Sequence, residues 1–173
     1  MKTLILGGVR SGKSRLAERL AVETGREVVY IATATALDEA MRQRIAAHQS
    51  RRSKDWILVE EPLQLAQALA LHVTPERCVI VDCLTLWLSN LLTASDSSRF
   101  APERTALLET WPRLDGDILL VANETNLGVI PLGELSRRYC DEAGLLHQEM
   151  ASRCDRVVFT VAGLPQILKG PSL

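Results

Sequence analysis

The chain has 173 residues, 47% of them apolar, which is enough for one packed globular domain spanning residues 1–173. A net charge of −1, with 20 basic and 21 acidic residues scattered along the chain, gives no positive field to hold nucleic acid or an anionic membrane. With only 4% aromatic residues there is no stacking platform for single strands either, so a small-molecule substrate is the expected partner.

The first apolar run, Leu4-Ile5-Leu6, ends at Gly7-Gly8 and is too short for a signal peptide or a membrane helix. Cys78, Cys83, Cys140 and Cys154 form no CxxC pair and have no histidine at zinc-finger spacing. Neither a disulfide framework nor a metal knuckle is indicated, and reduced thiols in a cytoplasmic protein without membrane insertion are expected.

Runs rich in Val, Ile and Leu at residues 3–6, 27–32, 57–60, 78–82, 118–122 and 157–161 read as strands. Helical periodicity falls at 13–24, 38–52, 63–71, 84–92 and 132–154, the last with a break expected near Gly144. The first of these stops at Gly25, as a C-cap would, and the second opens on Asp38 with Met41, Ile45 and His48 on one face. Residues 95–102 are polar and rich in turn formers, and read as a surface loop. The alternation predicts an α/β fold with a mostly parallel central sheet and helices on both faces.

The run Gly7-Gly8-Val9-Arg10-Ser11-Gly12-Lys13-Ser14 has the spacing G-x-x-x-x-G-K-[ST], follows a predicted strand and opens a predicted helix. That context makes it a P-loop for the phosphates of ATP or GTP. Backbone N–H groups point at the phosphates, and the glycines allow the close approach. Lys13 reaches the β and γ phosphates, and the Ser14 hydroxyl is a Mg²⁺ ligand. The apolar strand 78–82 ends in Asp82, which serves either as the second Mg²⁺ anchor of a Walker B segment or as the N-cap of the helix from Leu84. The Asn-Lys-x-Asp motif with which Ras-type GTPases read guanine is absent.

On the second predicted helix, His48 stands among Arg44, Arg51 and Arg52, with Lys54 and Trp56 following. Neutral imidazole is a good nucleophile near neutral pH, and guanidinium groups beside it would offset charge on a phosphate under attack. Taken alone, the same pattern also describes a solvated surface histidine.

The sequence resembles the bifunctional adenosylcobinamide kinase and adenosylcobinamide-phosphate guanylyltransferase family along essentially its whole length. The residues that carry the resemblance are Gly7 to Arg15, Tyr30-Ile31-Ala32-Thr33, Arg44-Ile45 with His48, Trp56 with Glu60, Asn123-Glu124 with Gly128 and Pro131, Gly144, and Val161-Ala162-Gly163-Leu164-Pro165. What the resemblance implies is a RecA-like P-loop NTPase fold and two displacements at phosphorus. In the first, the hydroxyl of adenosylcobinamide attacks the γ-phosphate of ATP or GTP, with Lys13 and with Mg²⁺ on Ser14 and Asp82. In the second, His48 takes GMP from GTP and passes it to the corrinoid phosphate. By the same resemblance Thr33, Ala34 and Thr35 line the nucleotide site, and Gln49, Ser50, Arg51 and Arg52 touch phosphate or ribose. Glu60 accepts hydrogen bonds from guanine, against the plainer reading of an exposed strand-end charge, and Asn123 and Glu124 face the corrinoid. Relatives of this kind form homotrimers, for which the apolar segment 84–92 offers a contact.

Three positions depart from the family pattern. Asn126 replaces a glycine, and asparagine is the residue that best tolerates positive φ. Cys140 stands where arginine is usual, and His147 where asparagine is usual, which makes His147 a second imidazole to weigh as an acceptor of GMP. Two competing readings are a P-loop small-molecule kinase without guanylyl transfer and a RecA-like regulatory ATPase.

Overall fold

A continuous Val/Ile/Leu run buries both of its faces only in the interior of a sheet, and five of the six expected strands lie there. A computed structural model of the chain describes residues 1–35, 39, 42, 43, 53 and 55–173. Its strands are β1 (Lys2–Gly7), β2 (Glu27–Ala32), β3 (Ile57–Glu60), β4 (Arg77–Asp82), β5 (Asp117–Asn123), β6 (Arg156–Val161) and β7 (Leu164–Lys169). They form one sheet in the order β3-β2-β4-β5-β1-β6-β7, parallel throughout except where β7 returns antiparallel to β6. The described helices are α1 (Lys13–Glu23), α2 (Leu65–His72), α3 (Leu84–Thr93), α4 (Phe100–Thr110) and α5 (Glu134–Arg153).

Alternation along each strand divides the core in two. Ile5, Leu119, Val121 and Ile80 pack with Leu16, Ala17, Leu20 and Ala21 of α1 on one face. Leu4, Leu6, Leu120 and Ala122 pack on the other with Leu65 and Leu69 of α2, Trp87 and Leu91 of α3, Leu107 of α4, and Leu146 and Met150 of α5. Helices therefore cover both faces, as the pattern predicts.

Four expectations need correction. The loop expected at 95–102 is shorter. Ser97–Arg99 forms one 3₁₀ turn and α4 begins at Phe100, with Pro102 in its first turn, where the missing N–H breaks no helical bond. Gly144 does not break α5, which is continuous over 20 residues. A Cβ there would lie 2.8 Å from Asn126 Nδ2, which donates to Cys140 O at 3.0 Å, so glycine at 144 makes room for the Asn126 amide on the helix surface. Strand β7 was not expected at all. Every residue of it is exposed and it carries Pro165, so it shows neither buried alternation nor a clean strand composition. It is joined to β6 by the two-residue turn Ala162-Gly163, both at positive φ, a hairpin geometry that matches strand twist. Finally, Leu84, Trp87, Leu88 and Leu91 of α3 are buried against the chain's own sheet, so the apolar side of residues 84–92 is not available as a subunit surface.

Candidate active site at the carboxyl edge of the sheet

All the parallel strands point their carboxyl ends to one edge, and the P-loop leaves β1 there. Gly7 takes φ +152°, and a Cβ on it would stand 2.3 Å from Thr160 O and 2.7 Å from Ser11 Oγ. Only glycine fits against β6 at that point. Arg10 and Gly12 hold positive φ of 57° and 101°, and Ser11 N–H donates to Gly8 O at 3.3 Å, so the chain winds back on itself before α1 starts. The loop is braced from outside by the β6–β7 turn, because Gly163 N–H donates to Ser11 O at 2.9 Å and Gly163 Cα lies 3.1 Å from where a Gly12 Cβ would be.

Lys13 opens α1 and is buried, with its Nζ folded back to donate to Gly8 O at 2.6 Å. Burial pushes its ammonium below the ordinary lysine range, and the Cys83 and Asp82 side chains act in the opposite direction. A cation held in this way, among loop N–H groups, is complementary to a polyphosphate. Val9 and Arg10 are exposed at the outside of the loop, and Ser14 is half-buried.

Asp82 ends β4 on the same edge. The N-cap of α3 is Cys83, without a side-chain capping bond, so the Asp82 carboxylate does not cap that helix. Its Oδ2 accepts the Tyr30 hydroxyl at 2.7 Å, and the Tyr30 ring stacks on Trp56 with centroids 6.3 Å apart. Thr33 is fully buried. Its Oγ1 donates to Cys83 O at 2.7 Å and accepts Cys83 N–H at 2.8 Å, while Asn90 Nδ2 donates to Thr33 O at 2.8 Å. The hydroxyl of Thr33 thus ties the end of β2 to the chain just past Asp82. Ala34 beyond it is half-buried and Thr35 exposed. Among the described residues no group of three or more His, Cys, Asp and Glu is arranged around a metal. One carboxylate and one hydroxyl, with phosphate oxygens completing the set, is the hard-oxygen donor pattern that suits Mg²⁺.

Glu60 is exposed at the end of β3, level with Ala32. In the order β3-β2-β4-β5-β1 it lies four strand spacings from the P-loop strand, about 19 Å at ~4.8 Å per spacing. Neighbouring Glu61 has a different task, its Oε1 accepting Leu63 and Gln64 N–H at 2.9 and 2.8 Å at the head of α2. His48, Gln49, Ser50, Arg51 and Arg52 lie outside the described residues.

One part of the edge was only loosely expected. Strand β5 runs between β1 and β4 and delivers Asn123 beside Gly7, after which Glu124 N–H donates to Gly7 O at 2.9 Å. Glu124 Oε1 accepts Asn126 N–H at 2.6 Å, and its Oε2 faces His147 Nδ1 of α5 at 3.9 Å, beyond hydrogen-bond range. His147 is 8% exposed and burial pushes its imidazole below the ordinary range, with Glu124 opposing, so the ring sits neutral in the core. That burial removes it from consideration as an accessible acceptor of GMP. Nothing in sequence periodicity marked His147 as facing Glu124; their spacing of 23 positions bridges a strand end and a helix.

The wound loop, the buried lysine and the carboxylate two strands away define a P-loop protein that binds a nucleoside triphosphate at the carboxyl edge of a RecA-like sheet. Solved structures agree on the fold. The flagellar accessory protein FlaH from Methanocaldococcus jannaschii is 14% identical, with a TM-score of 0.53 over 98% of this chain and 78% of that one. A protein from Pyrococcus horikoshii OT3 is 10% identical, with a TM-score of 0.55 over 99% and 87%. The chain belongs to the cobinamide kinase / cobinamide phosphate guanyltransferase family, whose model matches residues 3–168. It is 62% identical, over the full length of both chains, to the bifunctional adenosylcobalamin biosynthesis protein CobP of Pseudomonas aeruginosa. It is 31% identical to the corresponding CobU of Escherichia coli, over 95% of this chain and 97% of that protein.

Proposed function

We propose that the chain phosphorylates adenosylcobinamide and then guanylylates the product, giving adenosylcobinamide-GDP in cobalamin biosynthesis. The observation that carries this reading is the P-loop itself, with buried Lys13 beside Asp82, in a chain that matches the kinase and guanyltransferase family over residues 3–168. In the kinase step the corrinoid hydroxyl oxygen bonds to the γ-phosphorus of ATP or GTP, and the bond to the β,γ-bridging oxygen breaks. Lys13 exchanges Gly8 O for phosphate oxygens and offsets the negative charge that gathers on them. Ser14 and Asp82 are the residues that would hold Mg²⁺, whose chemistry there is to neutralise the polyphosphate.

In the transferase step an imidazole nitrogen of His48 attacks the α-phosphorus of GTP, pyrophosphate leaves, and the corrinoid phosphate then takes GMP from the histidine. Gln49, Ser50, Arg51 and Arg52 contact phosphate or ribose, Thr33, Ala34 and Thr35 line the nucleotide site, and Glu60 reads guanine through N1 and N2. The separation of about 19 Å between the strands of Glu60 and the P-loop supports a nucleotide laid along the edge of the sheet. We assign the enzyme to the cytoplasm and to a homotrimer. No helix among the described residues is long and apolar enough to cross a membrane. Leu127, Val129, Ile130 and Leu132, 75 to 95% exposed after β5, give aliphatic surface that a second subunit or the corrinoid would cover.

The test is covalent labelling. GTP labelled at the α-phosphorus, mixed with protein and Mg²⁺ alone, is expected to leave an acid-labile, alkali-stable label. His48→Ala is expected to abolish the label while nucleotide binding persists. An unlabelled wild-type protein, or a label that survives the substitution, would sink the guanylyl-histidine.

A further inference from the structure

Phosphoryl transfer from a nucleotide to an alcohol is helped by a group that takes the hydroxyl proton as the new bond forms. That group must reach an oxygen poised at the γ-phosphorus, above the P-loop at the end of β1. Four carboxylates lie on the carboxyl edge among the described residues: Glu60, Glu61, Asp82 and Glu124. The first two stand at the end of β3, four spacings or about 19 Å away, and Glu61 already caps α2. Asp82 is two spacings or about 10 Å away, holds the Tyr30 hydroxyl, and is assigned above to the metal.

Glu124 is different. Its strand is hydrogen-bonded to β1, and its own backbone N–H is fixed to Gly7 O, the first carbonyl of the phosphate loop, at 2.9 Å. One carboxylate oxygen, Oε1, is oriented by the Asn126 N–H at 2.6 Å. The other, Oε2, accepts no hydrogen bond among the described residues, and the group facing it is the neutral, unpartnered Nδ1 of His147 at 3.9 Å. The side chain keeps 16% of its surface, so it is neither sealed in nor free in water. Immediately past it comes the exposed aliphatic run that includes Leu127, Val129 and Ile130, a surface suited to a large, partly apolar alcohol substrate.

We propose that Glu124 is the general base of the phosphoryl-transfer step. As the substrate oxygen bonds to the γ-phosphorus, its proton passes to Oε2 of Glu124. The electron pair of the breaking bond leaves with the bridging oxygen of the nucleoside diphosphate. The resulting carboxylic acid returns its proton to water through its exposed side when the product departs. This inference rests on the kinase reading above.

The experiment uses the full chain with ATP, Mg²⁺ and adenosylcobinamide, and follows phosphorylated corrinoid. Glu124→Gln keeps an oxygen to accept the Asn126 N–H but cannot take a proton, and its kcat is expected to fall about 10²- to 10⁴-fold with KM for ATP within a few-fold. Guanylylation of the protein by GTP reports in the same sample that the nucleotide site is folded. Glu124→Asp is expected to recover part of the lost rate. A Glu124→Gln protein that keeps kcat within about threefold overturns the proposal. Should Glu124→Gln lose guanylylation as well, Glu124→Asp decides: a fall in kcat with labelling intact supports the base, and an unchanged kcat overturns it. Wild-type protein that labels with GTP yet makes no phosphorylated corrinoid refutes the kinase reading instead.

Discussion

Two loops leave neighbouring strands at the same edge of the sheet, one after β1 and one after β5, and their construction is opposite. In the first, Gly7, Ser11 and Lys13 are buried, the backbone holds left-handed conformations, and the β6–β7 hairpin braces it from outside. In the second, residues 125–130 are all exposed, and Val129 and Leu132 reach 95% exposure. The polyphosphate is the same small anion in every nucleotide, so a fixed cradle serves it. The second loop presents aliphatic side chains that water solvates poorly, and such a surface gains stability only when something covers it. On the function proposed above, recognition of phosphate and recognition of the second substrate or subunit fall to separate pieces of one edge.

The largest effect expected from breaking the first loop comes from Lys13→Ala. Removing a preorganised cation aimed at developing negative charge costs about 10²- to 10³-fold in kcat, and corrinoid phosphorylation measures it. The wild-type lysine carries its own signature. Because burial lowers its pKa in the free protein, nucleotide affinity is expected to weaken as pH rises at a lower pH than an exposed lysine would allow. Titrating nucleotide binding against pH checks this, and a flat profile to the ordinary lysine range would contradict the burial.

A matched pair of glycines compares the two loops on stability. Gly7→Ala must hold φ near +152° and displace Thr160 O from a 2.3 Å contact, so a loss of about 1–3 kcal/mol or more is expected. Gly128 in the second loop has nothing within 4 Å of a Cβ and no left-handed φ, and Gly128→Ala is expected to stabilise by about 0.4–1 kcal/mol by restricting the unfolded chain. Urea midpoints at constant m-value read both changes. Equal effects of the two substitutions would erase the contrast between a wound loop and an open one.

The same contrast governs what could be read from the sequence. The P-loop was legible because its information is local: glycines at fixed spacing, then Lys13 and Ser14, between a strand and a helix. The buried strands were legible because both-sided burial forces continuous apolar runs, and β2 matches its expected residues at both ends. Strand β7 escaped because an exposed edge strand places no demand on its side chains. Helix α4 escaped because it buries only Leu107 fully and begins with Pro102 in its first turn. Gly144 was misread as a break because the Asn126 amide that occupies its empty side comes from another element. The hydroxyl of Thr33 is held by both backbone groups of Cys83, a pairing across 50 positions that no local pattern encodes.

The smallest expected effect concerns His147, the side chain that sits beneath the second loop and faces the residue anchored to the first. Burial lowers its pKa, so the folded protein binds a proton there less readily than the unfolded chain, whose histidine titrates near pH 6.5. Between those two pKa values the unfolded state holds more protons, and stability therefore rises with pH. Its contribution is complete above about pH 6.5, declines as pH falls below that value, and levels off under the lowered folded pKa. The Glu124 carboxylate opposes the shift and shallows the slope without reversing it. His147→Asn, with His48 and His72 retained, is expected to flatten the decline below about pH 6.5 relative to wild type, read as urea midpoints at each pH. Parallel slopes in the two proteins would mean that the imidazole charges as readily in the fold as outside it. The second loop would then rest on a solvated helix face and not on a sealed one, and the difference between the two loops would extend to what lies beneath them.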